Sequence, residues 1–401
     1  MKTSRTVLLA LSLISGQVFS ADKQTLRPEV GKPLQDAQTA LAAKDYKGAA
    51  AQITAAEAVG KLSAYESYIV ARLKASAALG QGDYKTALSA YEQVLVSSEL
   101  PPAEKLPTLD AYVKIAYASK DYAKTASAIQ QYKAAGGTSA ETLGLYAQSL
   151  YLAGKYQEAS VALSAEIKDL AAAGKKPTDT QLQLLASCAL KQNDMVAYTA
   201  ALEQLVTYSP KKEYWLDLLV RTQRKPGFSD RLDLDMYRLR DATGTMEKAD
   251  DYMEAAQLAL QSGFPGEAQK FVDEGYAAKL LGAGPDAPRH QRLKDLVTKK
   301  IAEDKATLAE GEKAAAAQAS GDALVNTGFN YVAYGQSEKG LALMQQGIAK
   351  GALKSADQAL LHLGYAQALA GDKAAAKRSW STIKASDGSA DIARLYALAL
   401  N

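Results

Sequence analysis

Apolar side chains recur along most of the chain at every third or fourth position, the period of a helix that buries one face. In "LGQGDYKTALSAYEQVL", residues 79–95, Ala87 is followed by Tyr91 at i+4 and Val94 at i+7, which places all three on one stripe. The stripe is interrupted just before it begins. Gly82 accepts the left-handed conformation that ends a helix, and Asp83 has the short carboxylate that caps the next one. Tyr84 opens the second helix, where its ring can cover the open end of the pair. Ala87 lies one turn later, where two helices must approach closely and a larger side chain would hold them apart. The stretch therefore predicts a helical hairpin.

Related fragments follow at regular intervals. "AKDYKGAAAQI" is centred on Tyr46, "QGDYKTALSAY" on Tyr84, "SKDYAKTASAI" on Tyr122 and "AGKYQEASVAL" on Tyr156. "QNDMVAYTAAL", "SGFPGEAQKFV", "YGQSEKGLALM" and "AGDKAAAKRSW" follow at Met195, Pro265, Ser337 and Lys373. The first five are 38, 38, 34 and 39 residues apart, and the last two 36. A period in this range marks a stacked two-helix unit that cannot bury its apolar face alone. The fold expected is all-α, a right-handed α-solenoid of stacked antiparallel helix pairs.

Those recurring Gly-Asp-Tyr, small and aromatic residues resemble the second helix of tetratricopeptide repeats (TPR). The first-helix Leu-Gly step of that family is matched by Leu363 and Gly364, and its Gly and Tyr by Gly328 and Tyr331. The sequence departs from the family in lacking its first-helix tryptophan and in placing Pro265 where tyrosine is usual. Sel1-like helical repeats have related units. The resemblance implies a concave face lined by first helices. Carried onto this chain, that face holds Arg72, Ser76 and Leu79, then Asp110, Lys114 and Tyr117, then Gly144, Gln148 and Tyr151. Of these, Arg72, Lys114, Tyr117, Gln148 and Tyr151 are the candidate partner-binding residues, suited to an extended peptide. The corresponding C-terminal positions, Val325, Phe329 and Val332 with Leu361, Tyr365 and Ala368, are apolar and fit either a groove or a buried seam. The paired Lys and Asn of a TPR carboxylate clamp are not found, so a chaperone-tail ligand is not implied. The chain is also similar to periplasmic TPR proteins of Gram-negative bacteria, through "YWLDLLVRTQRKPGFSDRL" and "LVNTGFNYVAYGQSEKGLALMQQGI".

Four segments are expected: a signal peptide over 1–20, an N-terminal array over 21–210, degenerate repeats over 211–320 and C-terminal units over 321–401. The signal reading rests on Lys2 and Arg5 followed by the apolar run Val7 to Ile14. Eight residues of helix reach roughly 12 Å, too short for a hydrocarbon core of about 30 Å. Export to the periplasm is the expectation, with no membrane span. Cys188 is the only cysteine, which excludes an internal disulfide. Within the degenerate segment, 289–320 reads as charged, Ala-rich helix where one repeat is due, and "SADIARLYALAL" as the closing cap.

Charge gives no footprint for nucleic acid. The net charge is +3 with 23% charged residues, both signs interleaved. Only two histidines are present, His290 and His362, and neither has the neighbours of a metal site. His362 reads as a packed or surface residue, and His290 as a solvated residue near a cap. Cys188 reads as an inert packed thiol. Arg231, Asp235 and Arg238 are spaced four and three apart, which reads first as a solvated, salt-bridged face and second as a partner-binding face. No catalytic, cofactor or metal residues are assigned. The function expected is a periplasmic adaptor or scaffold that holds a protein segment. An architectural subunit of an envelope transport, secretion or pilus machine is the alternative, and an envelope enzyme or glycan binder a third.

Overall fold

A computed structural model describes residues 25–400, so the signal segment 1–20 lies outside the described residues. All regular structure among the described residues is helical. The chain divides into two compact units, one ending at Ala162 and the other beginning at Leu163. The division falls inside α8 (Tyr156–Ala172).

The first unit stacks antiparallel pairs: α1 (Pro28–Ala42) with α2 (Tyr46–Ala58), α3 (Ala64–Gln81) with α4 (Tyr84–Val96), and α5 (Pro102–Ala118) with α6 (Tyr122–Ala134). Next comes α7 (Ala140–Leu152), packed on α5 and α6. Their turns follow the chemistry written in the sequence. Gly82 has φ 75°, and the Asp83 carboxylate accepts from the Thr86 N–H at 3.1 Å. Asp45, Asp121, Asp194 and Asp372 cap their helices in the same way, at 2.8–3.1 Å. Lys44, Lys120 and Asn193 precede three of these caps with φ of 60°, 62° and 56°. Each holds a left-handed geometry that costs a non-glycine residue about 1–2 kcal/mol, so the turn is imposed by the packing of its helices.

Three residues after each repeat centre the side chain is small and buried. Ala49, Ala87, Thr125, Ala159, Ala268 and Ala376 are all fully enclosed, and Gly340 takes the equivalent place. Tyr198 breaks the series, its ring buried and its hydroxyl donating to Asp217 at 2.6 Å. The repeat-centre aromatic reaches further than its own pair: the ring of Tyr46 lies against Gly80 of α3, where a Cβ would collide with it.

The second unit contains α9 (Asp179–Lys191), α10 (Met195–Tyr208), α11 (Lys212–Gln223), α12 (Asp233–Ala242), α13 (Ala249–Gln261) and α14 (Pro265–Ala277). Pro265 occupies the first turn of α14, where its missing N–H costs nothing. A single 31-residue helix, α15 (Ala287–Ala317), lies where one repeat is due, over the stretch 289–320 read as charged, Ala-rich helix. After it come α16 (Asp322–Ala333), α17 (Ser337–Lys350), α18 (Ala356–Leu369), α19 (Lys373–Ser381) and α20 (Ser389–Ala399). Glycines pair across α16 and α17: a Cβ on Gly328 would stand 2.5 Å from the Gly340 carbonyl oxygen, and one on Gly340 equally close to that of Gly328.

The C-terminal helix does more than close an end. It packs on α12 as well as on α18 and α19, and the Tyr396 hydroxyl donates to the Asp235 carbonyl at 3.2 Å. Lys225 pairs with Asp391 at 2.9 Å, and the Ser229 N–H donates to the Asp387 carbonyl at 2.9 Å. The apolar C-terminal stripe is consequently a buried seam: Val325, Phe329, Val332, Leu361 and Tyr365 all lie in the core. His290 differs from its reading as a solvated residue. It is buried, and its Nδ1 accepts from the Gly282 N–H at 3.1 Å, so it ties the turn-rich 278–286 segment onto α15.

Candidate functional site

In the first unit α3, α5 and α7 present the five candidate residues as exposed or half-exposed side chains. Arg72 of α3 bridges to Glu104 of α5 at 3.2 Å and lies over the Tyr68 ring at 5.5 Å. Lys114 pairs with Asp110 at 2.9 Å and reaches toward Glu141 of α7 at 3.9 Å. Its hydrogen bond to the Asp110 carboxylate raises the Lys114 amine above its ordinary pKa. The Thr142 hydroxyl of α7 donates to Asp110 as well, so α5 and α7 are joined through one carboxylate. Tyr117 and Tyr151 each stand edge-on to the tyrosine that opens the following helix, Tyr122 at 5.7 Å and Tyr156 at 5.3 Å. Burial raises the Tyr117 hydroxyl pKa.

The face is thus a row of partly paired charges flanked by two braced aromatic edges. Among the described residues no hydrogen bond or ion pair joins any two of Arg72, Lys114, Tyr117, Gln148 and Tyr151; Arg72 and Lys114 are engaged instead by neighbouring carboxylates. Cation and amide donors beside aromatic rings suit main-chain carbonyls and apolar or acidic side chains.

The second unit holds a different arrangement, and it overturns the reading of 231–238 as a solvated face. Asp235 and Arg238 are almost wholly buried. The Arg238 guanidinium forks onto Glu267 of α14 and also donates to Asp235 at 2.8 Å. Three rings surround it: Phe329, Tyr365 and Phe264, with centroids 4.9, 5.2 and 5.4 Å away. Burial opposes the charge on Arg238, yet Glu267 and Asp235 hold its pKa well above the usual value. Burial likewise pushes the Asp235 carboxyl up, and His362 and Arg238 more than offset it, leaving the group below its ordinary pKa. His362 faces Asp235 through Nε2 at 3.3 Å. His362 was expected to be packed or on the surface; it is packed, with a carboxylate partner 127 residues away in sequence. Glu267 escaped the sequence reading altogether, since "FPGEAQKF" shows only an ordinary acidic first turn.

Cys188 is buried in α9. Among the described residues no group of three His, Cys, Asp or Glu side chains could hold a metal ion, and no helix is long and apolar enough to cross a membrane.

No family model and no curated protein matches the chain. Among solved structures it aligns with yeast Tom70 at a TM-score of 0.26 and 10% identity, over 92% of this chain and 94% of that one. It aligns with the TPR domain of P58(IPK) at a TM-score of 0.22 and 12% identity, over 92% and 98%. Likenesses this distant add nothing to the stacked helix pairs seen directly in the fold.

Proposed function

We propose that this protein is an exported, periplasmic interaction scaffold that acts by binding, with an extended protein segment lying along the first-helix face of its N-terminal unit. One contrast carries the proposal. The first-helix positions of the N-terminal unit are polar, aromatic and accessible, whereas their C-terminal counterparts are sealed inside the unit's own core. The signal-like residues 1–20 support the compartment.

Crosslinking in intact cells tests the role. Changing Tyr117 and Tyr151 to Ala should remove the crosslinked partners; an unchanged partner set and phenotype would refute the face. Osmotic-shock fractionation, with mass spectrometry of the mature N-terminus, tests the export. Recovery of the chain with residues 1–20 intact and inside the cytoplasm would refute that half. The alternative of a machine subunit working through 211–245 is weakened because Asp235 and Arg238, the core of that charged segment, are buried.

A further inference from the structure

Above the buried Arg238 cluster, α12, α13, α16 and α18 leave a cleft of about 230 Å³. Leu234, Phe264 and Val325 supply an apolar floor, and Arg231 and Lys354 supply nitrogen donors around it. A space of this size suits a small organic molecule.

The charges facing the cleft are unequal in what they have left to give. Its two carboxylates are already satisfied. Asp235 is held by Arg238 and His362, and Asp322 accepts from the Ser320 hydroxyl at 2.7 Å and the Lys354 N–H at 3.2 Å. Its cations are not. The Lys354 ammonium has no partner among the described residues, and Arg231 has only the distant Asp387 carboxylate at 3.8 Å and the Ser229 hydroxyl. The donors left unspent in the cleft are therefore those of Lys354 and Arg231, and they lie beside an apolar surface. An inorganic anion would use the first feature and waste the second.

We propose that this cleft binds a small organic carboxylate, its oxygens on Lys354 and Arg231 and its apolar body on Leu234, Phe264 and Val325. The site is separate from the peptide face of the N-terminal unit and does not depend on it.

Benzoate and 4-methylpentanoate are suitable probes, with benzamide and 4-methylpentanamide as uncharged matches of equal size. Ligand-observed NMR and calorimetry on the full chain should show at least one carboxylate saturating a single site, with the amides inert. Lys354→Ala or Arg231→Ala should weaken that affinity by roughly tenfold or more, the loss of one charge-assisted hydrogen bond. Both side chains are exposed, so these variants keep the fold, and Lys85→Ala in the other unit should leave binding unchanged. The proposal is overturned if neither carboxylate saturates a site, if the amides bind equally, if phosphate alone binds, or if the two variants bind as the parent does.

Discussion

The Arg238 guanidinium meets the Glu267 carboxylate through two parallel hydrogen bonds, 2.7 Å from Nε to Oε1 and 2.6 Å from Nη2 to Oε2. Neither group reaches solvent, and α12 and α14 are locked together by the pair. Burying such charges is costly. The cost is met here because Asp235 and three aromatic faces supply the rest of the guanidinium's surroundings. The consequence is geometric: the pair joins α12 to α14, and α20 packs on α12 in turn.

Removing one partner should be far worse than removing all. Arg238→Met leaves Asp235 and Glu267 buried without their cation, and should destabilise the C-terminal unit by about 3–5 kcal/mol. Adding Asp235→Leu and Glu267→Met to it should recover much of that loss. Trp215 and Trp380 both lie in this unit, so urea unfolding followed by tryptophan fluorescence reads it selectively. Equal losses in the single and triple variants would show that the network is not the source.

Two helical glycines should respond with opposite signs. Gly328 faces the backbone of α17, where an added methyl meets the Gly340 carbonyl and the Met344 backbone, so Gly328→Ala should cost about 1–3 kcal/mol through overpacking. Gly144 on α7 has open space around its missing side chain, so Gly144→Ala should stabilise by roughly 0.5–1 kcal/mol through helix propensity. Thermal melting of the two variants checks both signs at once.

Ala87 is the small residue that lets α3 and α4 approach, and it is fully enclosed. Ala87→Leu should overpack the hairpin and cost about 1–3 kcal/mol. An unchanged thermal transition for the N-terminal unit would mean that the helices cross elsewhere.

Local chemistry was legible where the deciding partners are close in sequence. Gly82, Asp83 and Ala87 announce a turn, a cap and a crossing within six residues, and the structure places all three in those roles. The sealing of the C-terminal face was not legible, because it depends on α20 reaching α12 and on His362 finding Asp235. The spacing of Asp235 and Arg238 is the same for a solvated ladder as for a buried cluster; only Glu267 and the three rings decide between them, and they arrive from other helices. The stretch 289–320 was legible as charged, Ala-rich helix from its period, but nothing local says whether such a run is one helix or two. For the proposed peptide face the sequence offered candidate positions only, while the pairing of Arg72 with Glu104 and of Lys114 with Glu141 came from the stacking of neighbouring pairs.

Acid should loosen the start of the N-terminal unit in a defined window. Glu66 accepts from the Arg27 guanidinium at 2.9 Å, and its side chain completes a capping box by accepting from the Ser63 N–H at 2.8 Å. The Arg27 hydrogen bond, then that from Ser63, brings the Glu66 carboxyl down to about 2. In the unfolded chain the group titrates near 4.3, so below that value the unfolded state binds the extra proton and stability falls with pH. The contribution of Glu66 is therefore complete above about pH 4.3 and lost as the pH drops through about 2. Hydrogen exchange of the α3 amides should accelerate across this interval, beyond the intrinsic pH dependence of exchange. Glu66→Gln should show faster exchange already at neutral pH and a flatter dependence below it. If the variant keeps the parent's full acid slope, the carboxylate responsible lies elsewhere in the unit, and the bond from Arg27 does not hold the first two helix pairs in place.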